Sequence, residues 1–242
     1  NDVKSAMAIQ VPAKVTGTIH GSKDSDADLF RFDAKAGEQW VIEINAARSK
    51  SPLDSKVEVL DAAGHPIERI RLKAVRESWL TFRGKDSNTS GDFRLFKWDE
   101  MKLNQFLYVN GEVVKLWHYP RGPDSGYMVY PGSGNRYGYF DTTPLAHPLG
   151  QAAYIVETLP EDAGPIANGL PTFTIYYQND DESRRRFGKD SKLTFTAPSD
   201  GDYLVRVSDI RGFQGENFKY TMTIRPRHPD FKLTIGGFAD GV

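Results

Sequence analysis

Residues 190–225 read DSKLTFTAPSDGDYLVRVSDIRGFQGENFKYTMTIR. This stretch predicts three β-strands, at 193–197, 203–208 and 220–225, because apolar and polar residues alternate there with a period of two. The residues Pro198 to Gly201 supply the first turn, and the second connection carries two glycines. Strands of this kind bury one face, so they need partners from elsewhere in the chain. The best candidates lie upstream, in residues 15–60.

The upstream half offers matching strands. Trp40, Ile42 and Ile44 alternate with more polar residues, and a further strand is predicted at 57–60. We therefore expect these segments to share one core with the strands of 190–225. The side chains expected to be buried together are Trp40, Ile42, Phe195, Tyr203, Val205 and Tyr220.

Composition sets limits on the function. The chain has 242 residues, which is enough for one large or two small domains, and its 31 basic and 32 acidic residues give a net charge of −1. This balance argues against a nucleic-acid partner, which favours a concentrated positive field. No apolar run approaches the roughly 18 residues of a membrane span. The absence of cysteine excludes disulfides and cysteine-based zinc sites.

The run from Asp190 to Asp209, followed by Phe218, Tyr220 and Ile224, resembles the bacterial pre-peptidase C-terminal domain family. Upstream, DLFRF at 28–32, AG at 36–37 and SPLDS at 51–55 are similar to the opening of the same family. The resemblance covers less than half of the chain, in two pieces. It implies an all-β fold, a jelly-roll-like antiparallel β-sandwich, attached to exported bacterial proteins and without catalytic residues.

The family pattern breaks near residue 72. The family's strand ending in Asn-Asp-Asp normally follows soon after an Asp-x-x-Gly turn, but here that ending is at 179–181. We predict that residues 1–72 and 173–242 form the sandwich and that residues 73–172 are an inserted β-rich lobe. Insertions in surface connections are tolerated because the entropy of loop closure grows only logarithmically with length.

The predicted insertion contains a strong hairpin signal. Two apolar runs, at 105–109 and 112–117, flank Asn110 and Gly111. The dipeptide Asn-Gly between two strand-like runs favours a type I′ turn. The residues 172–177 are expected to return to the sandwich.

An acidic run at 24–28, with aspartates at alternate positions, offers oxygen ligands of the kind that calcium loops use. It is not an EF-hand, because Leu29 and Lys35 stand where such a loop needs glycine and glutamate. Some members of the resembled family bind calcium through a segment before the domain and acidic residues before its first motif. That resemblance implies a calcium site at Asn1, Asp2, Asp26 and Asp28. The alternative is a solvated acidic turn.

Aromatic residues are concentrated in residues 117–140, interleaved with glycine and proline. Rings with polar edges suit sugar or peptide recognition, since flat apolar faces stack while hydroxyl groups find partners. The alternative is that they fill the core of the inserted lobe, which needs large side chains. The predicted ligand-binding residues are Trp117, Tyr119, Tyr127, Tyr130, Tyr137 and Tyr139.

These patterns predict a non-catalytic binding or accessory module of an exported bacterial protein, secreted, periplasmic or at the cell surface. Its expected partner is an extracellular polysaccharide or protein polymer. A structural or adhesive domain that contacts neighbouring domains of its own chain is the alternative, and an enzyme in the inserted lobe is a third hypothesis. No catalytic residue is predicted. The five histidines lack the spacing of metal ligands, and nothing fixes one of them as the base that a nucleophilic serine needs.

Overall fold

A computed structural model describes residues 3–21, 26–81, 92–122, 125–132, 135–160, 163–164 and 167–228. Within these residues the backbone forms strands and short 3-10 helices but no α-helix, so the predicted all-β fold is confirmed. The strands are β1 (Met7–Ala8), β2 (Ala13–Thr18), β3 (Ala27–Ala34), β4 (Gln39–Asn45), β5 (Ser55–Asp61), β6 (Glu68–Trp79), β7 (Asp92–Phe93), β8 (Phe106–Val109), β9 (Glu112–His118), β10 (Tyr127–Val129), β11 (Pro131–Gly132), β12 (Asn135–Arg136), β13 (Ala152–Leu159), β14 (Thr172–Tyr176), β15 (Gln178–Asn179), β16 (Lys192–Thr196), β17 (Gly201–Asp209) and β18 (Lys219–Pro226). The 3-10 helices are Val3–Ser5, Ala47–Ser49, Trp98–Glu100 and Tyr139–Asp141.

Two sheets form a β-sandwich. One has the strand order β1-β3-β17-β5-β15 and the other β16-β4-β18-β2. Their pairs are antiparallel except for the short parallel pair of β1 with β3. The three predicted strands of residues 190–225 are β16, β17 and β18. The chain crosses from one sheet to the other at each connection between them.

The sandwich has one apolar core between its sheets. The six side chains expected to be buried together all belong to it, which confirms that prediction. The rings of Phe32, Phe195 and Tyr203 lie at its centre, with centroid separations of 4.9 to 6.2 Å. Each such side chain contributes about 1.5–3 kcal/mol through removal of apolar area from water.

A seven-stranded sheet holds most of the residues between the two halves of the sandwich, in the order β14-β6-β13-β8-β9-β10-β7. Alternate residues of its strands bury opposite faces. On β8, Leu107 belongs to one apolar cluster, while Phe106 packs against another. Asn110 and Gly111 join β8 to β9 with φ values of 46° and 96°, which confirms the predicted hairpin with positive φ at both positions.

Two strands of this sheet cross the predicted boundaries at 72 and 173. β6 runs through residue 72 without a break. All residues of β14, from Thr172 to Tyr176, pair with β6. The expectation that residues 172–177 rejoin the sandwich is therefore wrong for 172–176, and β15 is the strand that returns to it. The reason is local, since cross-strand pairs such as Ile70 with Ile175 extend the apolar face of β6. The division into separate domains stays a prediction.

Asp141 connects the two regions. Its carboxylate accepts hydrogen bonds from Arg69 Nη1 at 2.5 Å and from the backbone N–H of Thr194 at 2.8 Å. Asn179 acts beside it, accepting from the N–H of Lys192 at 2.8 Å and donating to the carbonyl of Asp141 at 2.9 Å. Because β16 is an edge strand, these two N–H groups have no strand partner on their outer side, and the side chains satisfy them.

Candidate functional site

A groove of about 1040 Å³ lies at one end of the seven-stranded sheet. Phe96 and Trp98 line this groove and are 44% and 50% exposed, and Trp79, which is 39% exposed, stacks on Phe96 beside it. We call these three residues and the groove beside them the aromatic groove. Flat apolar rings held in water next to a concave surface are a typical feature of ligand-binding sites.

Strand pairing turns two of the rings outward. Leu80 and Leu95 bridge opposite each other and point into the apolar core, where they are almost fully buried. Because side chains alternate along a strand, the adjacent Trp79 and Phe96 face water. Their rings stack with centroids 4.1 Å apart and planes inclined by 14°, and the N–H of Phe96 donates to the carbonyl of Trp79 at 3.0 Å.

The backbone at Trp98 is hydrogen-bonded to a residue of the apolar core. Trp98 opens the 3-10 helix Trp98–Glu100, which follows Lys97 in a left-handed conformation with φ of 55°. The hydroxyl of the buried Tyr127 hydrogen-bonds the carbonyls of Trp98 and Met101. Burial raises the pKa of Tyr127 to about 12, with a further contribution from Tyr119 and Asp99. The hydroxyl therefore remains a donor at neutral pH.

Charged side chains surround the rings. The groove is also lined by Arg94, Lys97, Asp99, Glu100 and Arg121. Glu100 lies 3.6 Å from Arg76, so the charge of this groove acid is partly neutralised by a residue outside the groove. Guanidinium, ammonium and carboxylate groups around a stacking surface can bind hydroxyl groups as donors and acceptors. The arrangement can therefore hold a flat ligand that carries many hydroxyls.

The aromatic residues predicted from the sequence do not form one exposed strip. Tyr127 is fully buried, Tyr119 is 47% exposed, and the other four are half-buried. Trp117 stacks on Tyr130 with centroids 5.5 Å apart, and Lys115 Nζ lies 5.8 Å from the ring of Tyr130. Tyr139 lies 6.0 Å from the same amine, and Tyr137 is covered by Arg184 at 4.4 Å.

Burial thus separates the six by role. Tyr127 is a core residue whose ring no ligand can reach, and it supports the aromatic groove through its hydroxyl. Tyr119 precedes Pro120 and Arg121, which line that groove, so it lies next to it. A ligand-binding role of the four half-buried rings stays a prediction.

The sequence reasoning missed Trp79, Phe96 and Trp98. A signal was present, because Trp98 stands between Lys97 and Asp99, and large apolar residues among charged ones are often exposed. That signal alone does not distinguish a surface ring from a core ring. The outward direction of Trp79 and Phe96 depends on pairing between residues far apart in the chain, which periodicity cannot give.

The predicted calcium ligands lie only partly within the described residues, since Asn1 and Asp2 fall outside them. Asp26 accepts a hydrogen bond from the N–H of His20 at 2.8 Å, and Asp28 accepts one from the hydroxyl of Tyr220 at 2.6 Å. Burial raises the pKa of Asp28, although the bond from Tyr220 opposes this. Across the described ranges no three His, Asp or Glu side chains converge on one point. Calcium binding stays a prediction, which melting with calcium and with chelator tests.

A charged cluster is buried inside the seven-stranded sheet region. Glu112, Arg136 and His147 are each at most 1% exposed. Glu112 lies 2.5 and 3.0 Å from two nitrogens of Arg136 and 2.7 Å from His147 Nε2, and it accepts from the N–H of Leu145 at 2.9 Å. Burial opposes its ionisation, but the bonds from His147 and Arg136 lower its pKa overall. Because the cluster is shut off from solvent, we interpret it as a structural element.

Comparisons with known proteins assign no family. No family model and no curated protein match the chain. Among solved structures, the surface-associated copper-binding protein CorA of Methylomicrobium album BG8 is similar with a TM-score of 0.28 and 11% identity, over 92% of this chain and 98% of that one. A likeness at this level carries no argument about function, and the resemblance to the pre-peptidase C-terminal family stays a prediction. In the described part of the chain, no helix has the length and apolarity needed to cross a membrane.

Proposed function

We propose that this chain is a non-catalytic binding module and that the aromatic groove holds a segment of an extracellular polysaccharide. The stacked pair of Trp79 and Phe96, exposed beside a groove and next to Trp98, is the observation that carries this proposal. Sugar rings present flat C–H faces that stack on aromatic rings, and hydroxyl edges that bind polar side chains.

The rigidity of the site supports the same role. Trp79 ends β6, Phe96 pairs with it across the strands, and the carbonyl of Trp98 is anchored by Tyr127. Rings that are already held in place lose little conformational entropy when a ligand binds. A preformed stacking surface of this kind suits capture of a polymer.

The experiment is a glycan array that includes soluble β-glucans and galactomannans, followed by calorimetric titration of the polysaccharides that bind. Trp98→Ala and Phe96→Ala should each weaken binding roughly 10- to 100-fold, because each removes a stacking surface worth about 1–3 kcal/mol. Phe213→Ala is the matched control, since Phe213 is 57% exposed but lies on the sandwich.

Two results would contradict the proposal. One is an array without any bound glycan, together with retention on a protein polymer such as gelatin. The other is equal binding by Trp98→Ala and Phe213→Ala. Trp98 and Phe213 are each at least half exposed, so neither substitution should change the melting temperature by more than a few degrees. A melting temperature within that range shows that the variant is folded.

A further inference from the structure

A second groove lies on the sandwich, away from the aromatic groove. It has a volume of about 690 Å³ and is lined by β2, β18, the end of β4 and the loop at 49–52. We call it the polar groove. Polar side chains from the strands and the loop line it, among them Thr16, Asn45, Ser49, Ser51 and Thr221.

The walls of the polar groove are ordered by the pairing of its strands and by local hydrogen bonds. Thr221 lies opposite Thr16 on one side and Asn45 on the other, so three polar side chains form a row across the sheet. In the loop, Ser49 Oγ donates to Asn45 Oδ1 at 2.8 Å and Ser51 Oγ to the carbonyl of Asn217 at 3.2 Å. The loop is therefore tied to both neighbouring walls.

Glycine at position 17 allows close packing beneath the polar groove. A Cβ atom added there would lie 2.4 Å from the ring and hydroxyl of Tyr220, so only glycine allows the phenol to lie beneath β2. That hydroxyl is fixed by its bond to Asp28. The phenol thus packs on the core side of the sheet, where Tyr220 is 3% exposed, and supports the strands that carry the polar groove.

The charge of the polar groove is one-sided. Lys50 and Lys219 are its charged lining residues, and no acidic residue lines it. Neither lysine takes part in an ion pair among the described residues. Two ammonium groups amid hydroxyl and amide groups complement a ligand that has both negative charge and many hydroxyls.

We infer that the polar groove is a second binding site, for an anionic saccharide that carries carboxylate or sulfate groups. The lysines would bind the anionic groups, and the threonine, serine and asparagine side chains the sugar hydroxyls. A nucleic acid fits less well, because such ligands need a longer positive stripe than two lysines. This inference does not depend on the aromatic groove.

The test is titration of the whole chain with trigalacturonate at low ionic strength, with a trimer of a neutral β-glucan measured in parallel. The double variant Lys50→Gln/Lys219→Gln should bind trigalacturonate at least 5-fold more weakly than the native chain. The control, Lys14→Gln/Lys35→Gln, removes the same charge from exposed positions outside the groove and should change binding less than 2-fold. Binding should weaken as salt rises, since the attraction is between partly exposed charges.

Three outcomes would overturn the inference. Trigalacturonate and a sulfated trisaccharide fail to bind, the two double variants lose affinity equally, or oligoglutamate or single-stranded DNA binds as tightly as the saccharides. The neutral trimer reports on the aromatic groove independently, so failure of the polar groove and failure of the proposed function give different results.

Discussion

The sandwich and the seven-stranded sheet bury their charges differently. In the sandwich, two buried carboxylates have partners that reach water: Asp190 is buried but Arg48 is 32% exposed, and Glu58 pairs with Arg206, which is 38% exposed. In the seven-stranded sheet region, Glu112 and Arg136 are 1% and 0% exposed. One region thus keeps its ion pairs at the margin of an apolar core, and the other places a pair inside.

This difference has an energetic consequence. When a partner at the margin is removed, water can solvate the carboxylate that remains. When a partner inside is removed, the remaining charge has no solvent, and breaking such a pair is strongly destabilising. The two regions should therefore respond unequally to the same type of substitution.

The largest effect is expected for Arg136→Met, which leaves Glu112 buried without its main partner. We expect a loss of about 3–5 kcal/mol in the free energy of unfolding. Arg206→Met in the sandwich is the matched control and should lose about 1 kcal/mol or less, because Arg206 is partly exposed and Glu58 keeps its ion pair with Lys56. Urea unfolding monitored by tryptophan fluorescence measures both. Equal losses would show that the comparison between the regions is wrong.

Asp141→Ala tests the connection between the regions. It leaves Arg69 and the N–H of Thr194 without an acceptor, and we expect a loss of about 1–3 kcal/mol in unfolding free energy. Asp141→Asn is the control, because asparagine tolerates the positive φ of 51° at this position and keeps one acceptor oxygen. It should lose less than half as much. Amide exchange of Thr194 should accelerate in the alanine variant, and unchanged exchange would rule out the assigned hydrogen bond.

Gly111→Val perturbs the seven-stranded sheet without touching its buried charges. The nearest atom to a Cβ at this position is 4.0 Å away, so space is available and only the backbone conformation is strained. Forcing a β-branched residue to positive φ should cost about 1–2 kcal/mol. Asn110→Gly serves as the control and should be near neutral. Thermal melting distinguishes the two, and a valine variant as stable as native would argue against the type I′ turn.

The smallest effect concerns Asp181, close to the connection. Burial, together with the negative charges of Asp180 and Asp54, raises the pKa of Asp181 to about 6. The folded protein therefore holds this proton more tightly than the unfolded chain, and stability should rise as pH falls from above 6 towards 4. Asp181→Asn does not titrate, so it should be more stable than native at pH 8 by about 1 kcal/mol, after allowance for solvent screening.

Below pH 4 this advantage should disappear, because the native side chain is then protonated in both states. Urea unfolding at pH 4 and pH 8 checks the sign. A stability difference that does not change with pH would show that the pKa of Asp181 is not raised.

The comparison also explains which features could be predicted. The strands of the sandwich follow from local alternation of apolar and polar residues. The alternation of Trp40, Ile42 and Ile44, for example, predicts the face of β4 that is buried. The contacts of Glu112 with Arg136 and His147 span 24 and 35 residues and leave no periodic trace. The difference between the buried Tyr127 and the exposed Tyr119 likewise depends on the pairing of β10 with β7 and β9. Composition could mark aromatic residues as candidates, but not sort them.

The capping of β16 has a consequence for encounters between molecules. An edge strand with open N–H groups is a template on which another chain can add a strand, and repeated addition leads to aggregation. Asp141 and Asn179 occupy the hydrogen-bonding positions at Lys192 and Thr194. These two N–H groups are therefore not open to a strand from a second copy. The segment containing Asp141 thus covers part of this edge, and a sandwich deprived of it would expose the N–H of Thr194 on β16.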